Sequence, residues 1–527
     1  MVKVIQYSSK FYPYRLYHLI AAVCLFIVSL LEPVIAQERN PSAEKRKIEI
    51  LSFGRMGRDA GIDPDLIIFR NNVKIRHNDA IMYCDSAYHN DKRNQVTAFG
   101  NIRIEQGDTL TLTGDYLFYD GNTEKAFVRG NVQLIDKETV LETDVINYDV
   151  SNRVAYYNNQ GKIINGDDEL ISRKGVYYTN EKMFHFSESI MITGPDYVIT
   201  ADTMNYNTET EVVLFTGPTE INGDSIRIFA NRGWYDTKNK ISRIWSEAQV
   251  DNYQQQIEGD TLYYEETNGY GLAVGNTMIT DTANNSVVKG QLAVYFKKPE
   301  QFTVTSEAVY IMYGESDTVY MHADTLKAIT ILNEADTSLN YRLVRAWYNN
   351  RIYSHDFQSR ADSLSYSFSD STIRMYGDPV IWSEENQLTA DSIVMFTRNQ
   401  QTDRMELYNG AFVVSQVDSM RFNQIKGRNL TGFFTDNKLT RVIVEGNGES
   451  VYFLIEDEEL VGVNYSKSSN IEIVVDDGKI TEVTEFGNPD GVLDPPLLKN
   501  PSEMRLQGFK WLKAIRPVDR FDIFRKD

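Results

Sequence analysis

A repeat of about thirty residues constrains this chain more than any other feature of its 527 residues. Gly259-Asp260-Thr261-Leu262-Tyr263-Tyr264, Ala201-Asp202-Thr203-Met204-Asn205-Tyr206 and Ala361-Asp362-Ser363-Leu364-Ser365-Tyr366 are near copies. Gly114-Asp115-Tyr116-Leu117-Phe118-Tyr119 and Thr143-Asp144-Val145-Ile146-Asn147-Tyr148 share the pattern. Anchored on the acidic position, units fall at Asp85, Asp115, Asp144, Lys174, Asp202, Asn231, Asp260 and Gln291, in steps of 30, 29, 30, 28, 29, 29 and 31. A unit this small cannot bury an apolar face alone; stacking on its neighbours does so.

Inside each unit the spacing is as regular. Gly follows the anchor by 15 residues at Gly100, Gly130, Gly217, Gly275 and Gly377, and Tyr follows it by four at Tyr119, Tyr148, Tyr178, Tyr206, Tyr235, Tyr264, Tyr295 and Tyr366. Apolar pairs recur further on, at Val96 and Ala98, Ala126 and Val128, Val213 and Phe215, and Ile373 and Met375. These period-two steps place each pair on one face of a strand, with turn formers such as Asp120-Gly121-Asn122 between strands. The pattern predicts two or three strands of about 5–7 residues per unit and no helix before the C-terminus. The fold class is therefore all-β, an elongated stacked-strand solenoid of about twelve units. The recurring Asp reads as a turn or strand-end residue bonding local backbone N–H groups, since the Asp-rich calcium loop is missing. The Tyr ladder reads as stacked packing, with a ligand-lining role as the alternative.

The period breaks between Lys297 and Asp362, which divides the repeats into a block over 37–298 and a second over 299–486. Residues 487–527 form a linker containing Pro495-Pro496, then a capping helix opened by Asn500-Pro501-Ser502-Glu503, with Met504, Trp511, Leu512 and Ile515 on one face. At the other end, Lys3, Lys10 and Arg15 precede an apolar run over 19–31 and Val34-Ile35-Ala36, the form of a signal peptide over 1–36. Cys84 is the one cysteine beyond that leader, so no internal disulfide is available.

Lys and Arg number 54 against 74 Asp and Glu, a net charge of −20. This argues against a nucleic-acid binder, which needs a basic footprint. Six His are scattered without metal-ligand spacing, and no nucleophile elbow or phosphate loop is present. No catalytic residue, metal ligand or cofactor is assigned, and the chain reads as a non-enzyme.

Gly130-Asn131-Val132, Gly100-Asn101-Ile102 and Ala201-Asp202-Thr203, with Asp378-Pro379-Val380-Ile381-Trp382 and Gln387-Leu388-Thr389-Ala390-Asp391, resemble the OstA-like (organic-solvent-tolerance N-terminal) family of periplasmic lipopolysaccharide-transport β-jellyrolls, in a multi-repeat Bacteroidetes-type form. The resemblance runs over about residues 48–487. It implies an open β-jellyroll whose apolar groove shields lipid A acyl chains on the way to the outer membrane, in the periplasm or peripheral at the outer membrane. Groove candidates are Leu117, Tyr119, Ala126, Val128, Met204, Tyr206, Val213, Phe215, Leu262 and Tyr264. Implied partners are lipopolysaccharide and other transport proteins joined through edge strands, with end-to-end self-association as a further mode. Two alternatives stay open: a surface adhesin or carbohydrate-binding β-solenoid, and an outer-membrane β-barrel component.

Overall fold

The computed structural model describes residues 47–526, apart from positions 59–60, 62, 225, 253–254, 315–316, 334, 399–400, 436–437, 457–458, 477–478 and 496–499. The leader expected over 1–36 lies outside the described residues. Among the described residues thirty-eight strands join in one antiparallel hydrogen-bonded sheet, the all-β stack that the repeat predicts.

The strands are longer than the expected 5–7 residues. Leu110–Asp120 and Lys125–Asp136 span 11 and 12 residues. Each unit contributes two such rungs to the stack, which therefore runs roughly 120 Å at a strand spacing of about 4.8 Å. The extra length is possible because the strands are creased. Between Arg129 and Val132 the ladder slips, and Gly130 and Asn131 sit in the left-handed region at φ 79° and 46°. The same slip recurs at Gly100-Asn101, Glu188-Ser189, Ser246-Glu247, Gly275-Asn276 and Asn409-Gly410. A bulge bends its strand and sharpens the local twist. Stacked in register, the bulges fold the meander lengthwise into two half-sheets that face each other.

The acidic anchors lie on this crease, in mid-strand. Asn101 Nδ2 donates to Asp85 Oδ2 at 2.8 Å, Asn131 to Asp115 at 2.7 Å and Asn349 to Asp324 at 2.8 Å. The expected local turn contact is thus replaced by a link between neighbouring strands. Asp and Asn stand 16 residues apart in the first two pairs, one crease-to-crease step, and 25 apart in the third, where the step is lengthened. One anchor is displaced: Arg173, not Lys174, stands opposite its bulge, its N–H bonded to Glu188 O. The buried tyrosine of that unit is accordingly Tyr177, at 1% exposure, and Tyr178 points outward.

One apolar cluster runs between the half-sheets from Ile48 to Ile473 without a break. The long step between Asp324 and Asp362 is absorbed by a loop over residues 332–340, while the ladder continues on both sides of it. Strands of this length would suit a membrane barrel, but their sidedness does not. The inward face is apolar, whereas the outward face carries Arg103, Glu105, Gln133, Glu142, Lys162 and Glu169, the reverse of a lipid-facing barrel wall.

The tail does not form the expected continuous helix. Its start, Pro501–Met504, is a single 3-10 turn, and further single turns follow at Lys513–Ile515 and Asp522–Phe524. Between them the backbone is held from the side, which replaces helical hydrogen bonds. Gln424 donates to Met504 O at 3.1 Å and accepts from Leu506 N–H at 2.9 Å. Gln387 donates to Lys510 O at 2.8 Å and accepts from Leu512 N–H at 2.7 Å. Leu506, Trp511 and Ile523 pack on outward-facing Phe422, Val463, Val309 and Ile311. The tail is a strap running back along the outer face of the second block. Strands beneath it, such as Val380–Ser383, are apolar on both faces for that reason.

Candidate functional site

The site is the long mouth where the turns of one half-sheet meet those of the other. The interior behind it is filled by its own side chains over the first half of the stack. Leu117, Tyr119, Ala126, Val128, Met204, Tyr206 and Val213 are at most 2% exposed, Phe215 and Leu262 reach 4% and 5%, and Tyr264 is half-buried. The groove candidates therefore share one interior, and all but Tyr264 are sealed in it.

Tyrosines four residues past the crease reach the mouth and bond to polar groups on the opposite half-sheet. The Tyr119 hydroxyl pairs with His77 Nδ1 at 2.7 Å. That of Tyr148 donates to Gln106 Oε1, and that of Tyr177 to Asp136 Oδ2 at 2.8 Å. The Tyr206 hydroxyl accepts from Asn165 Nδ2 at 3.0 Å. Tyr197 donates to Asp168 Oδ1 at 2.6 Å, and Thr237 lies 3.4 Å from the other oxygen. Burial drives the Tyr119, Tyr148, Tyr177 and Tyr206 hydroxyls well above the usual phenol range, so they stay neutral donors. Burial also raises the Asp168 carboxyl, against the pull of Tyr197, Thr237 and Tyr206.

A second row closes the mouth from outside. Glu124, Arg153, Lys182, Glu211 and Lys240 recur every 29 residues in left-handed turn positions, at φ 56°, 56°, 54°, 58° and 56°. Glu124 accepts from Asn78 Nδ2 at 2.9 Å, Arg153 donates to Asp79 at 2.7 Å, and Lys182 Nζ lies 2.6 Å from Asp136 Oδ2. Lys240 pairs with Asp196. The exposed pairs contribute little singly, about 0–1 kcal/mol each; the buried Lys182–Asp136–Tyr177 set weighs more.

This closure is not continued. Twenty-nine residues after Lys240 the turn position falls on Gly269, at φ 60°, which has no side chain to cross with. Tyr264 and Tyr295 there are half-buried, and Tyr310 and Tyr366 likewise. Exposed Lys297 and Lys298 border this stretch, and Arg342 acts electrostatically on the Tyr310 hydroxyl. The molecule thus has a clasped half and an open half. Sequence reasoning located the tyrosines but not their partners; the 29-residue recurrence of long charged turn residues is the signal that could have found the outer row.

Residues 45–202 match the family model described as OstA-like protein. Over this stretch the chain is similar to the OstA-like family. The OstA-like stretch contains the His77–Tyr119, Gln106–Tyr148 and Asp136–Tyr177 clasps and stops just before Tyr206. Among solved structures, that of LptH, titled the LptA homologous periplasmic component of the conserved lipopolysaccharide transport device from Pseudomonas aeruginosa, is similar at 15% identity over 26% of this chain and 95% of that one, with a TM-score of 0.21. No curated protein matches the chain. No group of three metal-binding side chains is assembled among the described residues.

Proposed function

We propose that this chain is a periplasmic bridge in lipopolysaccharide transport, a non-enzymatic carrier whose interior shelters acyl chains. The observation that carries the reading is the single apolar cluster that spans the whole stack from Ile48 to Ile473. An acyl chain entering it gains about 0.8 kcal/mol per buried CH₂, and the apolar lining continues from one repeat to the next. Loading takes place at the open half, past Gly269, where Lys297, Lys298 and Arg342 offer positive charge to phosphates held outside. This answers the difficulty posed by an acidic chain and an anionic lipid: cations of the clasped half, such as Arg153 and Lys182, are paired, and those at the open mouth stand at the entrance. Onward movement requires the tyrosine clasps to part. Strands Glu49–Ser52 and Arg55–Arg58, which among the described residues pair on one side only, with Leu66–His77, are the edges through which other transport proteins or a second copy would join.

The complete packing of the clasped half favours a second reading, a surface solenoid that binds carbohydrate on its outer face and keeps its interior dry. Photocrosslinking separates the two. A photoreactive residue at Tyr264 or Leu262 is expected to yield a lipopolysaccharide adduct in cells, and one at Leu117 or Tyr206 a weaker one. Absence of adducts at all four positions would overturn the carrier reading.

A further inference from the structure

Residues 501–527 carry seven Lys and Arg against four Asp and Glu, in a chain of net charge −20. The strap sorts these charges by side. Its apolar residues turn inward: Leu506 and Pro517 are buried, and Ile523 is fully buried against Val287, Val309 and Ile311. Arg516 also turns inward, its Nε donating to Gln358 Oε1 at 2.7 Å and its Nη1 to Glu384 O at 2.8 Å. Two of its acids, Asp519 and Asp522, are consumed in local turns. Asp519 accepts from the N–H groups of Phe521 and Asp522 at 2.7 and 2.9 Å, and Asp522 accepts from Val518 N–H at 3.1 Å and pairs with Arg525.

Apart from Glu503, the unpaired charge that faces outward among the described residues of the strap is cationic. Arg505, Lys510, Lys513, Arg520 and Lys526 are exposed, and none of them makes an ion pair with another described residue. Beside them stand two apolar side chains with no packing role, Val518 at 72% and Phe521 at 68% exposure, and the Arg520 guanidinium lies 4.8 Å from the Phe521 ring. Lys and Arg flanking an exposed aromatic ring is the chemistry of a surface that settles on anionic headgroups, with the ring at the acyl boundary. Repulsion of the acidic remainder by such a surface would orient the chain with the strap towards it.

We propose that the outward side of the C-terminal strap docks on an anionic bilayer surface, with Phe521 and Val518 as the inserting tip. The docking does not depend on the interior binding lipid. It is tested by flotation of the leader-free chain with vesicles of phosphatidylglycerol and phosphatidylethanolamine, and with vesicles of phosphatidylcholine alone. The expected result is recovery with the first and not the second, lost at high salt. A K510E/K513E/R520E variant should bind at least about tenfold more weakly, and F521S several-fold more weakly, both with unchanged melting because none of these side chains is buried. Recovery independent of vesicle charge, or unchanged binding by the charge-reversed chain, would overturn the proposal. Crosslinking from Leu262 and Tyr264 should be the same in these variants with purified lipopolysaccharide, which keeps this test separate from that of the carrier.

Discussion

The Tyr177 hydroxyl donates across the mouth to Asp136 Oδ2 at 2.8 Å, 41 residues away in sequence, on an oxygen that also receives Lys182 at 2.6 Å. Asp136 is 3% exposed, so each partner it loses leaves a buried charge less compensated. Tyr177→Phe should lower unfolding free energy by about 1–2 kcal/mol. Asp136→Ala should cost more, about 3–5 kcal/mol, because it strands Lys182 as well. Urea titration of both variants checks this order; equal and negligible losses would mean the mouth is not clasped.

Asp168 gives the clasp a pH dependence. Its native pKa is raised by burial, so the folded chain binds that proton more readily than the unfolded one. The contribution is fully present below about pH 3.9, the unfolded value, and is lost as pH rises through the native value. Asp168→Asn should therefore flatten the stability profile above about pH 3.9. Urea midpoints of the two chains across that range would show it, and parallel profiles would refute it.

The crease depends on left-handed backbone at Gly130. A Cβ there would lie 2.7 Å from Asp115 Oδ2, and φ 79° is strained for any side chain. Gly130→Ala should destabilise by about 1–3 kcal/mol, read by thermal melting. Loss comparable to a surface substitution would mean that the bulge can relax.

Strap attachment can be broken one rung at a time. Gln387, 1% exposed, spends both amide atoms on Lys510 O and Leu512 N–H. Gln387→Ala should raise hydrogen exchange of the amides near Leu512 by about tenfold or more, with the first block unchanged. Equal exchange would show that packing alone seats the strap.

Cys84 reports on opening of the interior. Burial first, then the Asp85 charge, pushes its thiol up to about 12. In a chain lacking residues 1–36, and so Cys24, a disulfide reagent at neutral pH should react with it only as fast as the half-sheets part. Immediate labelling of folded chain would contradict a sealed first half.

Much of the fold was legible because it is periodic. Strand alternation, turn positions and the Gly, Asp and Tyr spacings depend on local geometry that every unit repeats, so an all-β stack follows from residues a few positions apart. Strand length was misread because the Gly-Asn pairs look like strand ends, whereas a bulge bends a strand without ending it. The tail was misread as a helix because its caps are local, while Gln358, Gln387 and Gln424, each four residues before its crease position, bind its backbone and side chains from more than 80 residues away.

The sequence alone determined the repeat, the apolar face of each strand and the tyrosine at a constant offset. Only the tertiary structure decided that the ribbon folds on itself, which residues meet across its mouth, and that closure stops where Lys240 gives way to Gly269. Those contacts join residues about 40 to 75 positions apart. A one-dimensional spacing cannot express them, because which turns face each other depends on the crease angle accumulated from rung to rung.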